Sequence, residues 1–169
     1  MNVTMTDIKK LREMTGAGLS DCKKALAESD DMDGAVAYLR KKGQAVAAKR
    51  SDREAAEGCV LVKVADGFGA IIALKCETDF VANNADFVAL TQQILDAAVA
   101  NKCKSLEEVN ALPMGDGTVA DAVTARSGIT GEKMELDGYS FIEGDNICTY
   151  NHMNRNGLCA MVAFSAPVE

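Results

Sequence analysis

The hydrophobic pattern of this chain changes period at Cys59. Ahead of it, apolar residues recur every three or four positions. After it, Val60, Val62 and Val64 alternate, Asp66-Gly67-Phe68-Gly69 supplies turn residues, and Ala70-Ile71-Ile72-Ala73-Leu74 is one unbroken apolar run. A period of 3.6 and a period of 2 do not fit the same element, so the chain begins helical and then forms a β-hairpin. An apolar run without alternation reads as a strand buried on both faces, central in its sheet. The expected class is therefore α+β: a small three-helix bundle, then a core with an antiparallel sheet and helices. The expected divisions are a helical module and linker over 1–55, a first core subdomain over 56–143, and the start of a second, similar subdomain over 144–169.

Within the module, Thr4-Met5-Thr6-Asp7 carries an acid three residues after a Thr, a helix start, and Ile8, Leu11 and Arg12 follow at helical spacing. Thr15-Gly16-Ala17-Gly18 is a tight interhelical turn. A second helix places Leu19, Cys22, Ala25 and Leu26 on one face. Asp30-Asp31-Met32-Asp33 caps a third, with Val36, Tyr38 and Leu39 apolar, and Gly43 is expected to end or interrupt it. Residues 44–57, Ala-rich and charged, read as a helical linker or as an extension of the third helix.

In the core, Cys76-Glu77-Thr78-Asp79-Phe80-Val81-Ala82-Asn83-Asn84 marks the place where the buried strand runs out and a helix begins. That helix is expected over Ala85 to Ala100, with Phe87, Leu90, Ile94, Leu95 and Ala98 facing the sheet. Ser105-Leu106-Glu107-Glu108 is a capping box. Pro113 to Gly117 is loop, Val119 to Arg126 a short helix closed by Ser127-Gly128, and 132–143 strand with Asp137-Gly138 as a hairpin turn.

The last segment repeats the first hairpin. With Gly67 set against Gly157, Phe68 to Leu74 lies over Leu158 to Phe164 and Val60 over Tyr150, an offset of 90 residues that points to a duplicated unit. The first copy continues into a helix, whereas the second stops at Pro167-Val168-Glu169. This leads to the expectation that Met161, Val162 and Phe164 are exposed on one face and favour pairing with another chain, as in a homodimer. Whether the chain is a fragment or a short form is open at this level.

Composition narrows the function. The net charge of −7 is uneven: residues 1–54 carry 11 Lys and Arg against 9 Asp and Glu, leaving 7 against 16 for the remainder. So acidic a body suits a protein partner better than a nucleic-acid backbone or an anionic membrane. No apolar run approaches the roughly 18 residues of a membrane-spanning helix, and neither a signal peptide nor a transit peptide is legible, so a cytoplasmic location is expected. None of the six cysteines stands in C-x-x-C spacing and His152 is the single histidine, which favours reduced, hydrophobic thiols over a metal site or a disulfide framework.

The organising stretch is also the candidate site. Phe80, beside the Asp79 carboxylate and just short of Asn83 and Asn84, either packs under the next helix or projects outwards as a probe for a partner's pocket. Gly67-Phe68-Gly69 lacks a third glycine and precedes a strand, so no phosphate loop is present, and no cofactor is expected. Lys23 and Lys24 read as a solvated helix face. His152 lies in the turn-rich Asn151 to Gly157 with no triad partner. Nothing reads as an active site. The alternatives kept open are a small cysteine-dependent enzyme using Cys76 or Cys159, and a peptide-binding adaptor built from the helical module.

Two long, separated motifs, Leu11-Arg12-Glu13-Met14-Thr15-Gly16-Ala17-Gly18-Leu19-Ser20-Asp21-Cys22-Lys23-Lys24-Ala25-Leu26 and Glu77-Thr78-Asp79-Phe80-Val81-Ala82, resemble the translation elongation factor Ts family. The resemblance extends over nearly all of the chain. It implies a ubiquitin-associated-like module over residues 1 to about 54 and an α+β dimerisation core of two similar subdomains beyond it. It further implies guanine-nucleotide exchange on elongation factor Tu. In that family the Asp-Phe pair matching Asp79 and Phe80, flanked by Thr78 and Val81, intrudes into the GTPase and disturbs its Mg²⁺ and phosphate site. The residues matching Leu19, Lys23, Gly128 and His152 lie at the same interface. Leu19-Ser20 departs from the Met-Met of many members, and many members continue through a full second subdomain and a further module.

Overall fold

A computed structural model describes residues 3–167; Val168 and Glu169, at the stop of the second hairpin, lie outside the described residues. The chain divides into two compact units. One holds the described residues up to Asp52 together with Thr124–Glu132, and the other holds Arg53–Val123 and the described residues from Lys133 onward. The architecture is α+β, with three helices followed by an antiparallel sheet and further helices.

In the first unit, α1 (Met5–Thr15) begins on a complete capping box between Thr4 and Asp7 and ends on Gly16 at φ +70°, a left-handed position that glycine adopts without strain. After α2 (Leu19–Ala27), Asp31 caps α3 (Met32–Lys49) by accepting from the Gly34 amide. Ile8, Leu11, Cys22, Ala25, Leu26 and Ala35 form the core between the three helices.

Gly43 does not end α3. The helix runs six residues past it, and Gly43 is buried against α7 (Val119–Thr130), where a Cβ on Gly128 would stand 2.6 Å from the Gly43 Cα. Two facing glycines let the helix backbones approach more closely than side chains permit, so both act as spacers within helices. Accordingly α7 does not close at Ser127-Gly128 but continues to Thr130, and residues 44–49 are the end of α3, not an independent linker helix.

The second unit is built on β1 (Glu57–Ala65) and β2 (Phe68–Cys76), joined by the two-residue turn Asp66-Gly67, both at positive φ. Pairing of β2 with the later strand β5 (Glu135–Glu143) makes β2 central in the order β1-β2-β5. After the short α4 (Asp79–Ala82), α5 (Ala85–Ala100) lies over one face of this sheet. Its Phe87, Ile94, Leu95 and Ala98 bury Leu61, Phe68, Ala70, Ile72 and Leu74. A second short helix, α6 (Leu106–Ala111), is capped by Ser105, and Pro113–Met114 (β3) pairs with Gly117–Thr118 (β4) where the sequence reads as plain loop.

Asp137-Gly138 is not a hairpin turn. It is a bulge inside the single strand β5, where Ala73 pairs with Gly138 and Leu74 with Leu136, leaving Asp137 as the extra residue. A Cβ at position 138 would meet the Ala73 Cβ at 2.6 Å, so glycine is required there for close strand approach. Asp137 turns outwards to Lys75 Nζ at 2.8 Å.

The last hairpin, β6 (Ile147–Asn151) and β7 (Cys159–Ala163), forms its own two-stranded sheet. One face packs on the larger sheet, with Cys159 Sγ donating to the Val60 carbonyl at 3.2 Å and Ile147 against Gly69. The opposite face, Tyr150, Leu158, Val162 and Phe164, is exposed, while Met161 alternates to the inner side and is half-buried, contrary to its expected place beside Val162. The first strands of the two hairpins correspond at 87 residues, not 90. Ile72 pairs with Leu61 and Val162 with Cys148, because the β6-β7 turn is longer than Asp66-Gly67.

Candidate functional site

The outward turn after β2 is set by two caps in succession. Thr78, extended at φ −126° and ψ 153°, caps α4 through its Oγ1, which accepts from the Val81 amide at 3.4 Å. Asn83 Nδ2 donates to the Asp79 carbonyl at 2.8 Å, which closes that single helical turn. Asn84 then starts α5 by accepting from the amides of Asp86 (3.0 Å) and Phe87 (3.3 Å). Val81 and Ala82 pack against the core beneath. The opposite side of α4 carries Asp79 and Phe80, both exposed, and Phe80 leaves 85% of its surface open to solvent, more than any other large apolar residue described. Burial under the next helix is thereby ruled out for Phe80; that position belongs to Phe87.

The remaining predicted residues fall in two further groups. Leu19 is 44% exposed and leaves the buried face shared by Cys22, Ala25 and Leu26, contrary to its expected place among them. Lys23, one turn later and also exposed, shares its side of α2. Gly128 belongs to the same unit as Leu19 and Lys23, and its visible role is the close approach to Gly43. His152 is in the second unit with Thr78 to Val81, in the 3₁₀ turn His152–Asn154 between β6 and β7.

Sequence reasoning missed the company that His152 keeps. Its Nδ1 lies 2.8 Å from the Tyr150 hydroxyl, with the rings 5.8 Å apart. Exposed Met153 and Leu158 stand in the same turn, and Met153, Asn154 and Asn156 all have left-handed φ. The legible signal was two large apolar residues inside a run of Asn, Arg and Gly, a setting in which neither has a core to join.

Burial pushes the Cys159 and Cys59 thiols up, the opposite of a nucleophile that must ionise, and Cys76 is buried with its Sγ donating to the Thr78 carbonyl. A cysteine-dependent enzyme is not supported. Among the described residues no group of three or more His, Cys, Asp or Glu is placed to hold a metal ion, and no helix is long and apolar enough to cross a membrane.

A sequence model of the family described as Elongation factor TS matches residues 77–169, beginning at the residue before Thr78. The whole chain is also similar to curated proteins named Elongation factor Ts. It is 75% identical to that of Bacteroides fragilis, 68% identical to that of Bacteroides thetaiotaomicron and 57% identical to that of Porphyromonas gingivalis. The aligned region makes up 52% of the first two proteins and 62% of the third, so the chain spans about half to three-fifths of these relatives. With over half of its residues matched by the family model, the projecting Asp79-Phe80 turn included, the chain belongs to the elongation factor Ts family.

Proposed function

We propose that this chain promotes guanine-nucleotide exchange on elongation factor Tu, with Phe80 and Asp79 as the probe that enters the GTPase near its Mg²⁺ and phosphate site. The observation that carries this reading is the 85% exposure of Phe80 on a turn tied at both ends by Thr78, Asn83 and Asn84. Holding a large aromatic in water forgoes the burial energy that Phe87 collects, so its role is best explained by a pocket on another molecule. A turn fixed before contact also loses little conformational freedom on binding.

In this reading the chain performs no covalent chemistry and works in the cytoplasm. It favours the nucleotide-free partner and is expelled, by linkage, when nucleotide rebinds. The three helices act as a ubiquitin-associated-like module that offers Leu19 and Lys23 to a second face of the GTPase. Gly128 serves through its position beside exposed Ile129, and His152 contributes together with Tyr150. The test is release of labelled GDP from elongation factor Tu with the 169-residue chain added. Acceleration that rises with concentration and saturates is expected. Release at the intrinsic rate, at concentrations where binding is seen, overturns the proposal.

A further inference from the structure

Glu77 is the residue between the end of β2 and the cap of α4, and its side chain is only 19% exposed. Its Oε1 accepts a 2.6 Å hydrogen bond from the Lys133 backbone N–H, and its Oε2 lies 3.2 Å from Arg53 Nη1. Arg53 and Lys133 are the first residues of the core unit on each of the two passes the chain makes into it, from Asp52 and from Glu132. One carboxylate therefore fastens both points of entry to the foot of the turn that carries Phe80.

Such an anchor is needed. At four residues α4 is far shorter than a helix that holds itself, so its position is imposed from outside. Val81 and Ala82 fix its inner side, but Phe80 and Asp79 project into solvent and contribute no packing that would resist a swing of the turn. Asn83 and Asn84 tie its C-terminal end, and at its N-terminal end the turn is held through Thr78 and the residue before it. The bond from the Lys133 amide is charge-assisted and partly shielded, whereas the Arg53 guanidinium is more than half exposed and its pairing is screened.

We propose that Glu77 is a positioning residue for the Asp79-Phe80 probe, acting through the Lys133 amide first and Arg53 second. This rests on the exchange reading above. Three variants of the full chain grade the effect. Glu77→Ala removes both bonds, Glu77→Gln keeps an acceptor for the amide, and Arg53→Met removes only the exposed partner.

The experiment has two arms. Hydrogen exchange on the free protein should show protection of the Val81, Ala82 and Asn83 amides falling about tenfold in Glu77→Ala, the scale of one charge-assisted hydrogen bond, with the β1-β2 ladder unchanged. Release of labelled GDP from elongation factor Tu should slow in the order Ala, Gln, Met, and the slowing should vanish when the same changes are made in a Phe80→Ala background. Equal loss of protection in the ladder, or an undiminished effect of Glu77→Gln in the Phe80→Ala background, overturns the inference. If Phe80→Ala alone leaves release untouched, the exchange reading fails, and the protection arm still decides whether Glu77 holds the turn.

Discussion

Phe80 and Phe87 are seven residues apart on consecutive helices, and one is 85% exposed while the other is fully buried. Composition does not separate them, since each has an acid immediately before it and a valine immediately after. The difference lies in the caps. Thr78 directs a single turn whose inner side is occupied by Val81 and Ala82, and Asn84 restarts the chain so that Phe87 points at the sheet. The same lesson holds for the two hairpins. Phe68, Ala70, Ile72 and Leu74 are buried beneath α5, whereas Leu158, Val162 and Phe164, which repeat that pattern, are 60%, 51% and 40% exposed. An apolar strand face is an offer, and burial depends on what lies over it.

The comparison breaks first at Phe87. Phe87→Ala should cost about 3–5 kcal/mol of unfolding free energy in urea titration, as truncation of a fully buried aromatic does. A loss under about 1 kcal/mol would mean that α5 is not the cover of the core. Between the hairpins, Ile72→Ala should cost about 2–5 kcal/mol and Val162→Ala about 0.5 kcal/mol or less, measured in the same way. Similar costs at both positions would show that the second face is covered in solution. The open face is also proposed to drive homodimerisation, seen as concentration-dependent sedimentation that Val162→Lys abolishes; a strict monomer at high concentration would contradict this.

A smaller effect separates buried from open groups by pH. The Tyr139 hydroxyl donates to the Cys103 carbonyl at 2.7 Å, and burial pushes its pKa up to about 12 from 10. A group raised in the folded state holds its proton more tightly there than in the unfolded chain, so its contribution is full below pH 10 and is lost as pH rises towards 12. The buried thiols of Cys22, Cys59, Cys103 and Cys159, raised from 9.0, add a loss in the same direction beginning near pH 9. Stability should therefore fall on the alkaline side, with Tyr139→Phe flattening the part between pH 10 and 12. The smallest perturbation is alkylation: exposed Cys148 should react rapidly and alone in the native protein, the other five thiols only on unfolding.

What the sequence made legible was whatever is decided locally. The Thr4-Asp7 capping box, the Asp31 and Ser105 caps, the Asp66-Gly67 turn and the limits of α5 all depend on bonds within a few residues. What escaped was decided by a distant partner. Asp137-Gly138 carries the same letters as a hairpin turn, but β2 claims the whole segment as its neighbour and forces a bulge. Gly43 looks like a helix stop until Gly128, 85 residues later, supplies the reason for a glycine inside a helix. In the candidate site the position of Phe80 between cap residues was legible, while Glu77 was not, because its partners Arg53 and Lys133 lie 24 residues before and 56 residues after it.

The central claim is that Phe80 is built for a partner and not for the fold. It is tested most directly by measuring unfolding free energy and labelled-GDP release from elongation factor Tu on the same preparation of Phe80→Ala. The account predicts stability within about 1 kcal/mol of the parent chain and release slowed by about 30-fold, the effect of losing an interface anchor worth about 2 kcal/mol. A loss of about 3 kcal/mol in stability, or a folded variant that releases GDP at the full rate, would contradict it.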